Sequence, residues 1–174
     1  MTEHTAGKTF ALIAILAGVA YLGWSALTPA TAPSDARTEL AGFVATADDL
    51  YKRAKVIVDL NPTTDDQADQ IAVRVGNQWG VDEHGFQTSF FPMLKGGLDY
   101  PADVREGLVR IAQFDNFVFD AISSSYSCQN MEAHRRLAVA GQLLEHAKMA
   151  LQGHPDPDWD PNLDWPDDHG QCRR

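Results

Sequence analysis

The sequence predicts an all-α fold: a single N-terminal transmembrane helix, a small antiparallel bundle of about four helices, and an extended acidic tail. Three observations predict it. No charged side chain lies between Lys8 and Asp35, apolar residues beyond Asp35 recur in steps of three and four, and no stretch alternates as a strand would. The expected divisions are an N-terminus at 1–8, a membrane helix at 9–30, a helical domain at 31–153 and a tail at 154–174.

The 18 residues from Phe10 to Leu27 are almost wholly apolar. At about 1.5 Å per residue they reach roughly 27 Å, close to the thickness of a hydrocarbon core. Ala30-Thr31-Ala32 has the form of a signal cleavage site, but the length of the apolar run favours a retained anchor. Ala11, Ala14, Gly18 and Ser25 set small residues on one side of this helix, where another transmembrane helix can pack closely. Tyr21 and Trp24 suit the interface at its far end. Lys8 and the α-amino group precede the anchor and Arg37 alone follows closely, which favours a cytoplasmic N-terminus and an extracytoplasmic, periplasm-like location for the rest.

Lys8 and Glu3 cancel, so the whole formal charge of −10 belongs to the part beyond the anchor. Such a domain is a poor match for nucleic acid or anionic lipid and a good one for a basic partner surface. Cys128 and Cys172 are the two cysteines. In an oxidising compartment they can pair and tie the tail to the domain, closing a loop worth roughly 4 kcal/mol. In a reducing one they would be two separate thiols.

The first bundle helix is predicted to start at Pro33-Ser34-Asp35. It carries Leu40, Phe43, Val44, Ala47, Leu50, Tyr51, Ala54, Ile57 and Val58 as one stripe and ends at Asn61-Pro62. Asp48 with Lys52 and Asp49 with Arg53 are acid-before-base pairs on its outer face. Thr64 and Gln67 have capping-box spacing, and Ala68, Ile71, Ala72, Val75 and Trp79 form a shorter second stripe closing near Gly80. From Gly80 to Tyr100, four glycines and Phe90-Phe91-Pro92 predict a long ordered loop. Pro101 then opens a third helix with Val104, Leu108, Ile111, Ala112, Val118, Phe119 and Ile122 inward. Asp115 interrupts that stripe, with Arg105, Arg110, Arg135, Arg136 or His134 as expected partners. The fourth helix starts at Ser127 or Asn130 and ends at Gly153, a C-cap glycine.

The tail sets Trp159, Leu163 and Trp165 on an acidic, proline-rich ribbon suited to a partner's groove. Asp156, Asp158, Asp160, Asn162, Asp164 and Asp167 have calcium-loop spacing, but Pro161 replaces the required glycine and no exit helix follows. No two of the six histidines sit four apart on one predicted helix, and no zinc, haem, nucleophile-elbow or phosphate-loop pattern is present. The sequence therefore predicts no catalytic residue, metal or cofactor. The expected role is that of a single-pass accessory or assembly subunit of a larger membrane complex, touching other membrane subunits and the bilayer. The alternative is a tethered ligand- or cation-sensing bundle.

Overall fold

The computed structural model describes residues 33–96, 99–163 and 170–173. The expected membrane segment, with Ala11, Ala14, Gly18 and Ser25, lies outside the described residues, as does Trp165. Among the described residues no helix is long and apolar enough to cross a membrane.

The first apolar stripe folds into α1, Pro33–Asp59. Ala36, Leu40, Ala47, Leu50, Ala54, Ile57 and Val58 are all buried. Its solvent face carries Lys52–Asp48 at 2.6 Å, Arg53–Asp49 at 3.0 Å and Lys55–Asp59 at 2.6 Å, each a turn apart. Asn61, with φ of 47°, turns the chain in the left-handed region before Pro62.

A short α2, Asp65–Ile71, follows, and the Thr64 hydroxyl accepts from the Gln67 amide at 3.2 Å. The Gln67 side chain reaches back to the amide of Thr63, not Thr64, at 2.9 Å, so the capping box is displaced by one residue. A π-helical turn, Ala72–Gly76, joins α2 directly to α3, Asn77–Gly96. The three form one continuous rod.

This corrects the expected loop from Gly80 to Tyr100. Trp79, Glu83, Phe86, Phe90 and Met93 are all buried and advance in steps of four, three, four and three, which is a helical seam. Gly80 and Gly85 have open space where a Cβ would stand, and Pro92 is exposed, so the apparent breakers lie away from the seam. Aromatic packing holds the segment to α1. Phe43 meets Phe86 and Phe90 edge-on, with centroids 5.9 and 5.3 Å away.

Helix α4, Ala102–Tyr126, follows Pro101 at the cap, and α5, Asn130–Leu151, follows a tight turn in which Cys128 has φ of 57°. Gly153 closes α5 with φ of +86°. The His154 backbone amide donates to the Met149 carbonyl at 2.9 Å, capping the last turn as a positive-φ glycine permits.

Cross-helix contacts fix an up-down-up-down order. Arg37 on α1 reaches Asp103 at the start of α4 and the Leu151 carbonyl at the end of α5, while Asn130 at the start of α5 reaches the Pro62 carbonyl beyond α1. Leu50 and Phe43 on α1 meet Trp79 and Phe90 on α3 in reverse sequence. Four helical rods thus enclose one apolar core, and no strand occurs among the described residues.

Cys128 and Cys172 form a disulfide. Next to it, Arg173 exchanges backbone hydrogen bonds with Thr63 and Asp65, at 3.0 and 3.2 Å. The tail leaves the end of α5 and is fastened again at the opposite end of the bundle.

Candidate functional site

Two features stand out once the core is assembled: an open apolar groove beside the π-turn, and a pair of buried acids behind it. The groove begins as a hollow of about 310 Å³ lined by Arg53, Val56, Ile57, Arg74, Val75 and Trp79. A second hollow of about 430 Å³, lined by Leu60, Asn61, Thr63, Gln67, Ile71 and others, shares Arg74 and Val75 with the first. Val56 near the end of α1 and Leu60 just past it stand along one wall, and the α2–π–α3 rod supplies Ile71, Val75 and Trp79 along the other. Val56 is 59% exposed, Leu60 53% and Val73, on the outer side of the π-turn, 70%. Val56 and Leu60 line hollows that share Arg74 and Val75, so they belong to one patch and are more than scattered surface residues, whereas Val73 lines neither hollow.

Trp79 anchors the floor by donating its indole N–H to the Leu50 carbonyl at 3.1 Å. Arg53 at the rim is held by Asp49 and Asp82. Arg74 is exposed and has no ion-pair partner among the described residues. In a chain of net charge −10, an unpaired arginine over an apolar floor is a local reversal of sign. Gly76 ends the π-turn where a Cβ would overlap the Tyr126 hydroxyl, so a close crossing with α4 fixes the shape of this wall.

One turn beyond Trp79, Glu83 lies on the α3 seam at 5% exposure, and Asp115 lies on the α4 seam at 4%. The Gln87 side-chain amide donates to both, to Asp115 at 2.7 Å. None of the arginines expected to pair with Asp115 does so, which corrects the sequence reading: its partner is neutral Gln87, and its second oxygen has no hydrogen-bond partner. Burial pushes the Glu83 carboxyl up to about 7, with Asp115 repulsion adding to it. Burial likewise pushes Asp115 up to about 6, against the stabilising Gln87 hydrogen bond.

The other sequence-derived residues fall elsewhere. Trp159 is half-buried against its own domain: its ring stacks on His146 at 3.9 Å, Arg110 stands 5.1 Å above it, and Arg110 also donates to the Trp159 and Asp156 carbonyls at 2.8 and 3.0 Å. Leu163 is 50% exposed. Asp156, Asp158 and Asp160 point to solvent. Among the described residues no three metal-ligating side chains come together. A polar hollow lined by Asp120, Ser123, Ser127 and Arg136 is less inviting, because Asp120 and Glu132 already occupy Arg136.

Neither the groove nor Glu83 is marked in the sequence, whereas Asp115 is, as the carboxylate that interrupts the third stripe. The pair's signal was present as two carboxylates at seam positions, one of them inside the stretch that reads as a loop. No family model, no curated protein and no solved structure matches the chain.

Proposed function

We propose that this chain is a single-pass, membrane-anchored accessory or assembly subunit of a larger membrane complex, acting through protein contacts on the extracytoplasmic side. The observation that carries the reading is the groove between α1 and the α2–π–α3 rod, an apolar channel open among the described residues. From Ile71 to Trp79 its wall runs for roughly 12 Å, about two helical turns. Its natural occupant is a two-turn helical segment of a neighbouring subunit, with apolar residues at i, i+3 or i+4, and i+7, and a carboxylate against Arg74. The disulfide agrees with an oxidising compartment. Exposed Asp65, Asp66 and Asp69 on α2, with Asp156, Asp158 and Asp160 in the tail, suit a basic surface on the same neighbour.

Extraction of native membranes in mild detergent, followed by sizing, tests the reading. The wild-type chain is expected to run in a large assembly. Val56→Asp with Val75→Asp is expected to release it as a folded monomer, since both side chains already meet solvent. A wild-type chain that runs alone, or an assembly indifferent to both substitutions, overturns the proposal.

A further inference from the structure

Seam positions of a bundle ordinarily hold apolar side chains, yet α3 and α4 place Glu83 and Asp115 there, each nearly inaccessible. One amide, that of Gln87, serves both carboxyls, and Asp115 keeps one buried oxygen without a hydrogen-bond partner. Four cations on the surrounding helices are committed elsewhere. Arg53 on α1 is held by Asp49 and Asp82, and Arg110 on α4 by Glu106 and the tail carbonyls. On α5, Arg136 is held by Asp120 and Glu132, and Lys148 by Asp48 and Glu145. On α1, the Tyr51 ring faces Phe114 beside Asp115, but its hydroxyl abuts Gly141 on α5. On α3 itself, Asp82 faces Arg53. No cation acts on either carboxyl of the pair.

We propose that Glu83 and Asp115, bridged by Gln87, form a proton-operated latch that seats α3 against α4 when protonated and releases α3 when ionised. Two carboxylates without a counter-ion cannot remain in an apolar seam at small cost. Losing their protons to water drives Glu83 outward, and α3 is the rod that moves because α4 is clasped by both α1 and α5. The raised carboxyl values, about 7 and about 6, place the change around neutral pH. Trp79 and Val75 precede Glu83 on the same rod, so release also reshapes the groove. That last consequence rests on the groove being a docking surface; the latch does not.

Hydrogen exchange on the purified full-length chain in detergent, read by mass spectrometry from pH 5.5 to 8.5, is the test. After correction for intrinsic rates, amides from Trp79 to Leu94 are expected to open roughly 10- to 100-fold more readily at the alkaline end, and to do so by an opening of lower cost than that of Leu137 to Ala147, which open only with the whole fold and stay the better protected at every pH. Glu83→Gln with Asp115→Asn is expected to flatten the α3 profile, and either single change to remove most of it. A flat α3 profile in the wild-type chain, or a pH dependence that survives the double substitution, overturns the latch. Exchange is read on the isolated chain, so a failure to find an assembly partner leaves this result standing.

Discussion

The indole of Trp159 lies on the imidazole of His146, ring centroids 3.9 Å apart and planes 22° from parallel. That stack, with the Arg110 guanidinium also over the Trp159 ring, converts the first part of the acidic tail into a layer of the domain. Trp159→Ala is expected to cost about 1–3 kcal/mol in denaturant unfolding, less than a fully buried tryptophan because the residue is only partly buried. Trp159→Phe is expected to lose less, since a ring still covers His146.

The far end of the tail is held covalently. Replacing Cys128 and Cys172 with alanine is expected to cost about 2–4 kcal/mol, chiefly by freeing the unfolded chain. The backbone pairing of Arg173 with the Thr63–Asp65 turn is expected to go with it. Limited proteolysis is then expected to cut after Gly153 under conditions that leave the oxidised wild type intact.

The crossing of Gly76 and Tyr126 yields a double-mutant test. Gly76→Ala is expected to destabilise by about 1–3 kcal/mol, because the new methyl overlaps the Tyr126 hydroxyl. Tyr126→Phe alone is expected to change stability by no more than about 0.5 kcal/mol, the hydroxyl being buried without a partner. The two together are expected to cost less than their sum, measured by chemical unfolding. Additive costs would remove the steric explanation.

Global stability is expected to follow pH with a definite sign. The folded chain holds the Glu83 and Asp115 protons at about 7 and about 6, against ordinary values of 4.5 and 3.8. It therefore binds more protons than the unfolded chain between those limits, and stability falls as pH rises through that window, then levels. At pH 8, Glu83→Gln is expected to be more stable than wild type by about 1–3 kcal/mol, with the difference nearly gone at about pH 4. A Glu83→Gln chain that unfolds at the same denaturant concentration as wild type at pH 8 would exclude a buried ionised carboxylate there.

The four rods, their turns and the covalent closure of the tail were legible to different degrees. Leu40 to Val58 gives α1 by periodicity and Asn61-Pro62 ends it. Thr64 starts the second rod, Gly153 stops the last, and the two cysteines have only each other within the chain. The stretch from Gly80 to Tyr100 reads as a loop because glycine and proline are weighed as breakers before it is known which face they occupy. Steps of four and three run from Trp79 to Met93, but a carboxylate stands at the second of them and disguises the seam. The 73-residue reach from Asn61 to His134, a 2.9 Å contact between side chains, has no local signal at all.

The sequence by itself determined where α1, α4 and α5 form and end and which face of each turns mostly inward, because caps, charge pairs and apolar periodicity act within a few residues. Only the tertiary structure decided that Glu83 faces Asp115 across Gln87, that Trp159 folds back onto His146, and that Val56, Leu60 and Val75 stay exposed among the described residues. Those outcomes depend on the rotation and register of whole rods against one another. Register is settled by the fit of the entire core, including the close crossing at Gly76, and no single stretch of chain encodes it.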